Sequence, residues 1–215
     1  MEAKHSMEAK NFMEEKPSIE KTQSMEEKEL HVVKKHKDTV FRMLYNDREK
    51  LLELYNALNG TVYENTGELE ICTLENAIYM GFKNDVSFLF DSEMSLYEHQ
   101  SSVNPNMPLR DLFYIARQLE KYVIGKTLYS SKLVQIPVPR FVVFYNGTQE
   151  QPERRVLRLS DAFEKKVSSP ELEVTVTMLN INPGNNRELM EKCRTLREYC
   201  MFVECYPENM RHRWI

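Results

Sequence analysis

A chain of 215 residues with 41% hydrophobic content can bury a real core but leaves room for one main domain. It contains no run of eighteen or more apolar residues, and its first thirty positions are a charged, Met-rich tract unlike a signal peptide, which argues against membrane insertion and secretion. A formal net charge of −4 decides nothing about nucleic acid, because a local basic strip, not the overall charge, makes phosphate contacts. The expectation is a soluble, cytoplasmic protein. Cys72, Cys193, Cys200 and Cys205 fit a reduced compartment, since they show neither a disulfide framework nor the CxxC pairing of structural zinc sites.

The opening MEAKHSMEAKNFMEEKPSIEKTQSMEEKE is an imperfect short repeat without the aromatic and β-branched residues that could offset the entropy of ordering. Residues 1–30 are therefore expected to be a disordered tail. Residues 1–29 carry five Lys and eight Glu, a net −3, so the remainder is near neutral at −1. From Asp38, the residues Val40, Phe41, Leu44, Leu51, Leu52, Leu54, Tyr55 and Leu58 recur at helical spacing up to a stop at Asn59-Gly60. Asp38 has N-cap chemistry, and Tyr45-Asn46-Asp47 can divide the stretch into two helices. Strands are expected near 76–81, 84–91 and 94–101, separated by polar punctuation at Lys83-Asn84 and Asp91-Ser92-Glu93. The segment NPNMPLRDLFYIARQLEKYV opens on turn chemistry, places Pro108 at a first helical position and continues through Leu112, Ile115, Leu119 and Val123 as a helix. VPRFVVFYNG and LEVTVTMLNIN read as two further strands, and 185–205 as a last helix. This order makes an α/β sandwich over residues 31–205, with 206–215 expected to be irregular.

Within NDVSFLFDSEMSLYEHQSS, residues 84–102, strand alternation turns Glu98 and Gln100 to one face and His99 to the other. Asp85 opens the preceding strand, and a hairpin would bring it beside Glu98. Two close carboxylates repel and raise each other's pKa, so the pair makes most sense if a cation neutralises both. Mg²⁺ suits it, being bound by one or two carboxylates, several waters and phosphate oxygens, with Mn²⁺ as a substitute. Such an ion activates water against a phosphodiester.

Asn84-Asp85 followed by Glu98-x-Gln100 resembles the PD-(D/E)XK nuclease motif, with Asn in place of Pro and Gln in place of Lys. The longer run YEHQSSVNPNMPLRDLFYI resembles the EHQSS...MP.R.L.Y segment of the Rpn family, recombination-promoting nucleases also described as transposases. KHKDTVFRMLYND is similar to that family's opening Asp-x-x-Phe-Lys segment, and FVVFYNG with LRLSDAF to its later part, so the likeness spans roughly residues 33–205. The resemblance implies a PD-(D/E)XK-like core, a central mixed sheet flanked by helices, and metal-dependent DNA endonuclease activity that promotes recombination. By the same resemblance Asp85, Glu98 and the backbone carbonyl of His99 would hold the metal, and Gln100 the attacking water. Asp38 would contribute through a bridging water, against an equally weighted N-cap role. Arg110 is a candidate phosphate clamp because its guanidinium fork matches phosphate oxygens, although a surface Arg at a helix start is the plain reading.

Gln100 cannot supply the positive charge of the usual Lys, and Lys83 is the nearest substitute in sequence. The ending CYPENMRHRWI turns polar where the resembling proteins continue into helices, as a truncated copy would. A catalytically inactive DNA-binding or scaffolding relic of a mobile element is therefore the alternative function, and a plain interaction module the third. DNA is the expected partner, membrane is not, and the oligomeric state is open, a homodimer included.

Overall fold

The computed structural model of the chain describes residues 37–72 and 85–211. The Met/Glu/Lys tail, the strand expected over 76–81, Lys83 and Asn84 lie outside these residues. The first helix, α1, covers residues 37–45, and its Phe41 and Tyr45, one turn apart, are fully buried. Asp38 lies inside this helical run, so the N-cap position is not its own. The capping carboxylate is Asp47, whose Oδ1 accepts from the N–H groups of Glu49 and Lys50 at 3.0 and 3.2 Å and starts α2, Arg48–Asn59. That helix ends as its sequence predicts: Gly60 takes a left-handed φ of 67° and donates its N–H to the Asn56 carbonyl.

Among the described residues, six strands form one mixed sheet in the order β1-β2-β3-β4-β6-β5. They are β1 Glu70–Ile71, β2 Val86–Phe90, β3 Glu93–Gln100, β4 Val138–Tyr145, β5 Arg154–Arg158 and β6 Thr175–Asn180. The β3/β4 and β4/β6 pairs are parallel and the others antiparallel. The hairpin β2-β3 turns on two residues, Asp91 and Ser92, at φ 49° and 60°, the double positive φ of the tight turn that matches strand twist. Its register pairs Val86 with Tyr97, which sets Asp85 opposite Glu98.

The sheet faces are covered unequally. Helix α3, Met107–Tyr122, packs Tyr114 and Ile115 on Met94 and Leu96. On the other face, Phe41, Tyr45 and α2 meet Phe88, Tyr97 and Phe144 together with Leu196 and Tyr199 of the last helix. Three features differ from expectation. Arg154–Arg158 is a strand although three of its five residues are Arg; it lies at the sheet edge, where exposed charge deters unwanted pairing. The helix expected over 185–205 is two, α4 Arg187–Lys192 and α5 Arg194–Arg211, broken at the extended Cys193. The break is stabilised from a distance, because the Glu53 carboxylate accepts from the free N–H groups of Arg194 and Thr195 at 2.6 and 3.3 Å. Helix α5 also runs to Arg211, so the stretch expected to be irregular from 206 is helical over its first six residues.

Candidate functional site

Parallel strands β3, β4 and β6 present their carboxyl ends, Gln100, Tyr145 and Asn180, along one edge, the place where open α/β sheets hold ligands. The candidate residues gather there. Asp85 turns its Oδ2 onto the backbone N–H of His99 at 2.8 Å, a side-chain bond that takes over where the β2-β3 ladder stops. In a strand the N–H and C=O of one residue point to the same edge, so the His99 carbonyl also faces the Asp85 side. That bond engages Oδ2 of Asp85.

Glu98 is almost fully buried, 3% exposed, beneath the first turns of α3. Its Oε2 accepts from Arg110 Nη2 at 3.2 Å, while Oε1 is buried without any hydrogen-bond partner. Burial pushes the Glu98 carboxyl well up, Asp111 pushes it further, Arg110 opposes, and Asp85 and Asp38 add smaller upward effects. Asp85 itself is pushed up to about 7, by burial first, against the stabilising His99 N–H. A buried carboxylate oxygen with no donor is costly, and a cation is the partner that would remove that cost for both acids at once.

Arg110 is central to this group rather than a surface residue at a helix start. Its Nη2 reaches both Glu98 and the Tyr114 hydroxyl, the latter at 3.3 Å, and its guanidinium lies over the Tyr114 ring. Its Nη1 donates to Met107 Sδ at 3.3 Å; with the Gln100 amide oxygen and nitrogen assigned from their neighbours, which places each against a complementary group, Nη1 also donates to the amide oxygen at 3.2 Å and the amide nitrogen donates to the Ser102 carbonyl at 3.2 Å. Burial works most strongly against the Arg110 charge, but Glu98, Tyr114 and Asp111 together more than offset it and its pKa rises. With 26% of its side chain exposed, Arg110 is only partly withdrawn from solvent. Gln100, expected to hold a water, lies against Met107 and Arg110 at the start of α3.

His99 lies on the opposite face, as alternation predicts, with its ring fully buried among Phe41 and Tyr199. What the sequence did not disclose is its partner. Asp38 Oδ1 lies 2.9 Å from Nδ1; a carboxylate only accepts, so the ring proton belongs on Nδ1 and Nε2 is left buried and bare. Asp38 therefore holds the ring of the residue whose main chain holds Asp85. The described part of α1 is fixed further by Lys37 Nζ on Asn146 Oδ1 at 2.9 Å and by Tyr199, whose hydroxyl donates to the Lys37 carbonyl at 3.2 Å. Sequence reading also missed Asp111 and Tyr114. The buried stripe of α3 is Met107, Asp111, Tyr114, Ile115 and Gln118, so a polar residue at the one-turn spacing from Met107 was the available signal.

No family model, curated protein or solved structure matches this chain.

Among the described residues no group of three His, Cys, Asp or Glu side chains is placed to hold a metal ion. A Mg²⁺ site needs no such group, since it takes one or two carboxylates and fills its other positions with water and substrate. Asp85 Oδ1, Glu98 Oε1 and the His99 carbonyl fit that donor set, all oxygen, with one oxygen orphaned. A groove of about 550 Å³ lies towards the other end of β3, around Glu93, Ser95 and Arg140, and includes none of these residues. No helix among the described residues is long and apolar enough to cross a membrane.

Proposed function

We propose that the chain is a Mg²⁺-dependent DNA endonuclease of the PD-(D/E)XK type, hydrolysing phosphodiester bonds in the service of recombination, as the Rpn family that its sequence resembles. The observation that carries this reading is the orphaned, buried Glu98 Oε1 on the strand position facing Asp85. Asp85 Oδ1, Glu98 Oε1 and the His99 carbonyl would hold the ion. When bound, Mg²⁺ lowers the pKa of a water and offsets charge developing on the phosphate. The partly exposed Arg110 side chain would offer its guanidinium to a non-bridging phosphate oxygen, and the Gln100 amide, in its assigned orientation, would fix the plane of that guanidinium. Arg110 thereby brings the positive charge that the motif usually places at position 100. Asp38, through the His99 ring, keeps the β3 main chain aligned for both Asp85 and the ion. The recognition is of backbone phosphate, with DNA as partner and the cytoplasm as its place of action.

Gln100 in the Lys position also suits the second reading, a DNA-binding relic without turnover. The test is nicking of supercoiled plasmid by the full chain in Mg²⁺, in Mn²⁺ and in EDTA, with Asp85→Ala prepared in parallel. The expected result is metal-dependent nicking lost in the variant. DNA binding without nicking in either metal would replace the endonuclease by the relic.

A further inference from the structure

The sequence pairs Glu98 with Asp85, yet the acid that bears on Glu98 most strongly is Asp111, thirteen positions further along the chain on α3. Asp111 is 2% exposed and sits beside Arg110, and its Oδ1 is buried without a hydrogen-bond partner, as is Glu98 Oε1. A buried aspartate that serves only the fold normally saturates its oxygens with N–H or O–H donors. Here an acid side chain interrupts the stripe that Met107, Tyr114 and Ile115 bury, and one of its oxygens faces no donor.

Charge gives the arrangement a purpose. Arg110, partly buried, acts on all three of Asp85, Glu98 and Asp111, whereas Arg42, which also acts on Asp85, and Asp38, which acts on Asp85 and Glu98 with 46% of its side chain exposed, are screened by water. Three carboxylates against one guanidinium fall two positive charges short of neutrality, the charge of one divalent cation. Without Asp111 the same ion would leave the centre with one positive charge in excess.

We propose that Asp111 is a positioning residue of this centre: from behind Glu98, without touching the ion, its charge sets how tightly Asp85 and Glu98 hold a divalent cation. The proposal rests on the cation site described under the proposed function. It predicts a role in affinity for the ion, separable from any role in contacting DNA.

The test is binding of Mn²⁺ alone to the full chain, without DNA, followed by the electron paramagnetic resonance signal of the free ion. Wild type, D85A, D111N and D111L are compared, the leucine being suited to the apolar stripe should the asparagine fail to fold. D85A is expected to abolish binding. D111N and D111L are expected to weaken it at least about tenfold, the low end of what residues outside the ligand shell contribute. D111E, which keeps the charge, stays within about threefold of wild type. Both neutral variants should also melt higher than wild type in the absence of metal, because a buried unpartnered charge is gone. Neutral variants that bind Mn²⁺ as tightly as wild type would overturn the role of Asp111 and leave the cation site standing. A wild type that does not bind Mn²⁺ would overturn the cation site itself.

Discussion

Arg110 donates to Glu98, Tyr114 and Gln100, and these three bonds make position 100 intelligible. A lysine there, the usual residue of the motif, would set an ammonium against the Arg110 guanidinium that the Gln100 amide oxygen now meets at 3.2 Å. Like charges at that separation repel, so restoring the usual motif is expected to harm this site. Gln100→Lys should lower nicking at least about tenfold, ~1.4 kcal/mol of barrier, and the double variant Gln100→Lys/Arg110→Gln should recover part of it. Faster nicking by the single variant would mean that Arg110 does not supply the charge. The motif residues Asp85, Glu98 and Gln100 were legible in the sequence because strand alternation and hairpin length depend only on local spacing. Asp111 and the Asp38–His99 bond were not, since each depends on a helix lying over a particular strand.

At the scale of elements, the β2-β3 hairpin fixes which residue faces Glu98. Ser92 holds φ 60° without being glycine, a conformation that costs an L-residue roughly 1–2 kcal/mol. Ser92→Gly should therefore stabilise the protein by about 1 kcal/mol in a denaturant titration while leaving nicking unchanged; a loss of stability would show that the turn is not strained. Helix α1 is held from its buried side. Phe41 is fully buried against Tyr45, His99, Phe144 and Tyr199, so Phe41→Ala should cost about 3–5 kcal/mol. Because Phe41 packs on the His99 ring, nicking should fall in this variant even at temperatures where it is folded. A variant that is destabilised but fully active would uncouple α1 from the site. Most elements followed from periodicity and turn chemistry, as at Asn59-Gly60 and Asp91-Ser92. The edge strand Arg154–Arg158 and the break at Cys193 did not, because one is an edge whose charge hides its pattern and the other depends on Glu53, some 140 positions away.

For the whole molecule, the carboxylates shape stability against pH. Asp85 and Asp111 are both pushed up to about 7, by burial in each case, from the ordinary aspartate value of 3.8, and Glu98 is raised as well. Between these values the folded chain binds more protons than the unfolded one, so these acids make stability fall as pH rises. His99 acts oppositely: burial lowers its pKa despite Asp38, so its contribution is lost as pH falls below the usual imidazole range. Three acids against one imidazole leave a net decline. Without metal, the melting temperature should drop between pH 5 and pH 8, and Mg²⁺ should restore more of it at pH 8 than at pH 5. A metal-free melting temperature that rises over this range would contradict the burial of these carboxylates.

The central claim, that Asp85, Glu98 and the His99 carbonyl hold one divalent ion, is tested most directly by anomalous scattering from crystals of the full chain soaked in Mn²⁺. The account predicts a single strong peak about 2.1 Å from Asp85 Oδ1, Glu98 Oε1 and the His99 carbonyl oxygen. A peak elsewhere, or none at these oxygens with the side chains well ordered, would contradict it.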